Sequence, residues 1–98
     1  MRHLTPQELK AQISTDPEVL LIDVREPWEH EAYSIGGTLI PLGDINVRMN
    51  EIPKDKTVIV YCEKGIRSVI AIQRLEAAGF TNLCNLTGGM KAWRGSVE

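Results

Sequence analysis

Cysteine and histidine are scarce in this chain, and each shortage removes a class of explanation. Two cysteines, Cys62 and Cys84, cannot form a disulfide framework, and 98 residues are enough to bury a core without staples. Each thiol is therefore judged by its own surroundings. Of the two histidines, His3 precedes the first expected helix and His30 falls inside the second, so neither is placed by sequence for a Cys–His pair. No metal centre and no cofactor are expected. No apolar run approaches the ~20 residues a bilayer requires, and Met1 to Pro6 holds no apolar core of signal-peptide length. The expectation is a cytoplasmic protein without a membrane partner. A net charge of -2, with no cluster of Lys and Arg along one expected face, gives no field for a polyanion and argues against nucleic acid. Internal repeats, linkers and low-complexity segments are also missing, so residues 1–98 are read as one domain.

What is present is an alternation of strand and helix signals. Thr5-Pro6-Gln7-Glu8 has the form of a capping box with Pro in the first turn, and Leu9 and Ile13 mark an inner face. Val19 to Val24 is a nearly unbroken apolar run, as expected of a strand covered on both faces, and it leads into Asp23, Arg25 and Glu26. A short helix is predicted from Pro27, with Gly36-Gly37 beyond it, and a short strand over Thr38-Leu39-Ile40. Ile45, Met49 and Ile52 fall at helical spacing. Thr57 to Tyr61 is apolar and β-branched, the signature of a central parallel strand. Val69, Ile72, Leu75 and Ala78 mark a helix that Gly79 ends; Phe80 to Leu86 reads as a last strand and Gly88 to Trp93 as a closing helical turn. Together these predict an α/β fold: an open parallel sheet of about four to five strands with helices on both faces.

In such a sheet, ligands bind beyond the carboxyl ends of the strands, and Cys62 follows the most apolar strand. Glu63, Lys64, Gly65 and Ile66 must turn the chain into the helix opened by Arg67 and Ser68, and Gly65 permits a tight backbone. Amides converging there, with the helix dipole, place partial positive charge at the sulfur and favour a thiolate over the free thiol with its pKa of roughly 8.5. A thiolate made this way attacks without a general base. Cys84, in Asn82-Leu83-Cys84-Asn85-Leu86, reads as a core residue of the last strand, and Trp28 and Trp93 as packing residues that could also wall a pocket. Asp23 and Arg25 are either an ion pair that fixes a strand end or groups that orient the site.

Four stretches resemble the rhodanese (sulfurtransferase) family: Leu21 to Glu29, Ile35 to Leu42, Cys62 to Ser68, and Leu86 to Trp93. The resemblance covers nearly the whole chain and implies a rhodanese-like fold with Cys62 as nucleophile, carrying a sulfane sulfur as a persulfide. It also implies that the amides of Glu63, Lys64, Gly65, Ile66, Arg67 and Ser68 cradle an anion, with Lys64 and Arg67 favouring anionic donors such as thiosulfate. The expected partners are a small anionic sulfur donor or a persulfide, and a thiol, cyanide or protein acceptor. Only four residues separate Cys62 from Arg67, whereas phosphatase relatives of this fold have one more, so sulfur transfer is preferred over a phosphatase or arsenate reductase. A non-enzymatic persulfide carrier or partner-binding module is the alternative. Tyr33-Ser34-Ile35 replaces the family's usual Gly-His-Ile, and Thr38 a common alanine. Glu63 adds negative charge where an anionic donor would approach.

Overall fold

The apolar run Val58-Ile59-Val60-Tyr61 forms the centre of the fold, because its side chains alternate between two separate cores and all four are buried. The computed structural model describes residues 1–97. Strands β1 (Arg2–Leu4), β2 (Leu20–Asp23), β3 (Thr38–Leu39), β4 (Val58–Tyr61) and β5 (Leu83–Leu86) alternate with helices α1 (Pro6–Thr15), α2 (Pro27–Ala32), α3 (Arg67–Ala77) and α4 (Gly89–Val97). The strands form one parallel sheet in the order β1-β5-β4-β2-β3. Val58, Val60 and Cys62 face a core with Ala71, Ile72 and Leu75 of α3. Ile59 and Tyr61 face the opposite core, with Leu9 of α1 and Met90 of α4. Each face of the sheet is thus sealed by helix, and truncating a fully buried side chain such as Ile72 to Ala should cost about 2–5 kcal/mol.

The helix boundaries follow local chemistry. Thr5 Oγ1 accepts from the Glu8 amide at 3.1 Å while Glu8 Oε1 accepts from the Thr5 amide at 2.9 Å, completing the expected capping box of α1. Gly79 ends α3 with a positive φ of 99°. Several expectations need correction. Ile13 is 39% exposed, since α1 turns Leu9 rather than its far end onto the sheet. The segment holding Ile45, Met49 and Ile52 forms two 3-10 turns, Leu42–Asp44 and Met49–Glu51, in place of one helix. Gly43, Asp44 and Asn46 are poor helix formers, while the apolar spacing survives because Ile45 and Ile52 are still buried.

The inward face of α3 runs through Ser68, Ala71, Ile72 and Leu75, so Val69 is only half-buried and Ala78 exposed. Helix α2 ends at Ala32, before Gly36-Gly37, and Trp28 on it is 71% exposed rather than packed. Trp93 does pack against the core under α1 and α4. Strand β1 was not expected, having only one buried residue, Leu4. Strand β5 starts at Leu83, leaving Phe80 buried ahead of it, and α4 is a full helix rather than one turn. Among the described residues, no helix is long and apolar enough to cross a membrane.

Candidate active site

Strands β2 and β4 are neighbours, so the segments leaving their carboxyl ends meet: Arg25 beyond β2 and Cys62 beyond β4. Between Cys62 and α3 the chain reverses at Gly65, whose φ of 89° suits glycine. This turn directs the Gly65 amide to Cys62 Sγ at 3.1 Å and brings the Ser68 amide to it at 3.3 Å. Cys62 Sγ also lies 3.4 Å from Ser68 Oγ. Helix α4 holds the outside of the loop, for the Met90 and Lys91 amides donate to the carbonyls of Cys62 and Glu63, both at 2.9 Å. The loop carbonyls thus satisfy unpaired amides at the start of α4. Gly89 makes the approach possible, since a Cβ there would stand 2.3 Å from the Cys62 carbonyl oxygen.

Charged groups surround this loop in pairs. Arg25 and Asp23 are both fully buried; Arg25 Nε donates to Asp23 Oδ1 at 3.0 Å and Nη2 to Oδ2 at 2.9 Å. The same guanidinium reaches Glu63 Oε1 at 3.0 Å and the Tyr33 carbonyl. Asp23 and Arg25 are therefore an ion pair that also reaches the residue beside Cys62. Burial alone would lower the Arg25 pKa, but its hydrogen bonds to Asp23 and Glu63 raise it on balance. His30 Nδ1 lies 2.8 Å from Asp23 Oδ2.

Arg67, at the head of α3, grips Glu29 of α2 with two hydrogen bonds of 2.7 and 2.8 Å. That contact is the main reason the Glu29 carboxyl is held down to about 2, against the opposing effect of burial. Arg94 of α4 donates to the other oxygen of Glu63. The negative charge expected of Glu63 is therefore countered on both sides. A cavity of about 420 Å³ opens over the sulfur, lined by Glu29, Cys62, Glu63, Lys64, Ile66 and Arg67. Exposed Trp28 borders a neighbouring depression with Tyr33 and Arg94 and does not line the cavity over the sulfur.

Of the loop from Cys62 to Ser68, the amides of Gly65 and Ser68 reach the sulfur, and Asp23 and Arg25 lie behind it. Cys84 lies apart, within β5 against the opposite core, where burial pushes its thiol up. Sequence reasoning did not single out Glu29, Arg94 or Asn85. Glu29 had a signal, its place two residues after Pro27 at the start of a helix, where acids are favoured. Asn85 had another, being a polar residue inside an apolar strand. Arg94 had none, because the expected helical turn stopped short of it.

The sulfur thus faces two amide donors and the start of α3, an arrangement suited to a sulfur anion, and Cys62 lines the cavity above it. A family model described as a rhodanese-like domain matches residues 5–96. The chain is 41% identical to the uncharacterized protein YqhL of Bacillus subtilis, covering 100% of this chain and 76% of that one. It is 36% identical to a sulfurtransferase of Allochromatium vinosum, covering 95% and 88%. It spans only 25% of the probable adenylyltransferase/sulfurtransferase MoeZ of Mycobacterium tuberculosis, at 38% identity and with 97% of this chain covered. Among solved structures, a rhodanese-like domain protein of Staphylococcus aureus superposes with a TM-score of 0.87 at 33% identity, covering 95% of this chain and 91% of that one.

Proposed function

This chain belongs to the rhodanese-like family, and from that premise we propose that it is a sulfurtransferase working through a persulfide on Cys62. The observation that carries the reading is the pair of amides, from Gly65 and Ser68, aimed at Cys62 Sγ. In the first half-reaction the Cys62 thiolate attacks the outer sulfur of a donor. With thiosulfate, the donor S–S bond breaks, sulfite leaves with the electron pair, and a Cys62–S–S⁻ persulfide forms. In the second, a cyanide or thiolate acceptor attacks the terminal sulfur, and the Cys62–sulfur bond breaks to return the thiolate. The added sulfur carries the negative charge of the persulfide into the cavity, where the loop amides from Glu63 to Ser68 and the Lys64 ammonium stabilise it.

Donors of either class, thiosulfate or a persulfide, fit a site whose carboxylates are each held by an arginine. Arg67 contributes positive charge at the rim while Glu29 fixes its direction. Asp23 and Arg25 orient the loop through Glu63. The two unpaired thiols suit a cytoplasmic setting. Mass spectrometry after incubation with thiosulfate, and separately with a low-molecular-weight persulfide, should find one added sulfur on Cys62. No added sulfur with either donor would defeat the proposal. Loaded protein that discharges onto a partner protein but not onto cyanide or small thiols would make it a carrier, while turnover of an aryl phosphate would support phosphatase chemistry.

A further inference from the structure

Behind Cys62 runs a short chain of polar groups, buried at Ser68 and Asn85 and ending at exposed His3, that the sulfur-transfer steps do not use. Cys62 Sγ is 3.4 Å from Ser68 Oγ, Ser68 Oγ donates to Asn85 Oδ1 at 2.5 Å, and Asn85 Nδ2 lies 3.3 Å from His3 Nδ1. Ser68 is 0% and Asn85 3% exposed, so water does not stand in for a missing partner. The sheet builds this alignment: Val60 of β4 pairs with Asn85 of β5, which pairs with His3 of β1, and alternation turns Asn85 toward the α3 face.

A serine hydroxyl has one proton to donate, and here it is directed at Asn85. Toward the sulfur the same oxygen can therefore only accept, which suits a protonated thiol and not a thiolate. With Oδ1 taken by the Ser68 hydroxyl, Nδ2 faces His3 Nδ1 and donates to it in the tautomer that leaves that nitrogen without a proton. We propose that Asn85 is a positioning residue that draws the Ser68 hydroxyl proton away from Cys62 and so restrains formation of the thiolate. This rests on the reading of Cys62 as the nucleophile. Without Asn85 the hydroxyl would turn and donate to the sulfur anion, adding a third donor to the amides of Gly65 and Ser68. The charged groups facing this site are Arg67 from α3, Glu29 from α2, Arg94 from α4, Arg25 after β2, and Glu63 and Lys64 in the loop. None of these touches Asn85; the titratable side chain that does is His3 of β1, whose Nδ1 lies 3.3 Å from Asn85 Nδ2.

The test is the rate at which Cys62 is alkylated by iodoacetamide across neutral pH, checked against the ultraviolet absorbance of the thiolate. Asn85→Leu, which is close in shape, should raise the rate at pH 7 about three- to tenfold, the roughly ten- to hundredfold worth of one hydrogen bond to a charged group less the nucleophilicity that a stabilised thiolate loses. In a Ser68→Ala background the same substitution should change the rate by less than about twofold, since no hydroxyl remains to turn. Asn85→Asp, which offers Ser68 an oxygen again, should leave the rate at or below that of the unsubstituted protein. A residue needed only for packing would move both Asn85 variants the same way. An unchanged or slower Asn85→Leu protein overturns the proposal, as does a gain that persists without Ser68. Asn85→Val replaces Asn85→Leu if the latter does not fold. Alkylation requires no sulfur donor, so these results stand apart from whether Cys62 carries persulfide.

Discussion

The two cysteines sit on opposite faces of one sheet, nearly equally buried at 1% and 2% exposure, yet their surroundings are opposite in kind. Cys62 lies just past the end of β4, where amides from the following turn and helix point at its sulfur. Cys84 lies inside β5, where neighbouring backbone groups are engaged in the sheet and burial pushes the thiol up, outweighing the positive charges of Arg2 and the N-terminus. Burial therefore does not tell these two thiols apart. The end of a parallel strand does, because only there are backbone donors left without sheet partners.

The sharpest way to break this contrast is to remove each thiol in turn. Cys62→Ser should reduce sulfur loading from thiosulfate to background, as judged by intact-mass spectrometry. Cys84→Ala should load as the natural protein does and lose about 1 kcal/mol in a urea melt from the small space left behind. Loss of loading in the Cys84 variant would mean that the second thiol takes part in transfer.

Next in size is the backbone on which the Cys62 side depends. Gly89→Ala would set a methyl group 2.3 Å from the Cys62 carbonyl oxygen and 2.6 Å from Glu63, at a φ of 61°. We expect a loss of about 2–4 kcal/mol in stability, with slower loading, because the loop must move away from α4. A stable Gly89→Ala protein with normal loading would show that α4 does not hold the loop.

Most of the sheet and the loop from Cys62 to Ser68 were legible in the sequence because both depend on near neighbours. A fully covered strand such as Val58–Tyr61 is apolar throughout, and a strand-to-helix turn needs its glycine in a fixed place. The misjudged parts depend on tertiary context. Strand β1 exists because β5 offers it an edge, not because Arg2-His3-Leu4 favours a strand. The pairing of Glu63 with Arg94 required knowing that α4 passes over the loop. Gly43, Asp44 and Asn46 interrupt the helix that Ile45 and Ile52 suggest, so apolar spacing alone gave the right burial and the wrong backbone.

Charge distinguishes the two sides next. Glu29 titrates at about 2 in the folded chain, chiefly through Arg67, against an ordinary value of 4.5. A lowered folded pKa means stability that is present above about 4.5 and lost as pH falls through about 2. Arg67 is 34% exposed and screened by solvent, so the gain is set at about 1–2 kcal/mol. Urea melts should therefore find Glu29→Gln less stable by that amount at neutral pH and the difference closing below pH 4.5. The deficit of Cys84→Ala should stay constant over the same range. A Glu29→Gln deficit that persists undiminished near pH 2 would mean that packing, not the ion pair, is at stake.

The smallest expected effect tests the opposite side. Ser68 and Asn85 on the Cys62 face are hydrogen-bonded, but the buried hydroxyl of Tyr61, on the Cys84 face, has no partner among the described residues. Burial first, and then the negative charge of Asp23, pushes this phenol up from 10.0 to about 12. Tyr61→Phe keeps the ring and removes only the unpaired oxygen, so stability at neutral pH should be unchanged or higher by up to about 1 kcal/mol. The natural protein should also lose stability as pH rises from 10.0 to about 12, because the unfolded chain ionises Tyr61 while the folded one resists. The Phe variant should lack that part of the decline. A Phe variant less stable by more than about 1 kcal/mol at neutral pH would mean instead that the backbone of Ile35 or Gly37 reaches the hydroxyl, and both faces would then pair their buried polar groups.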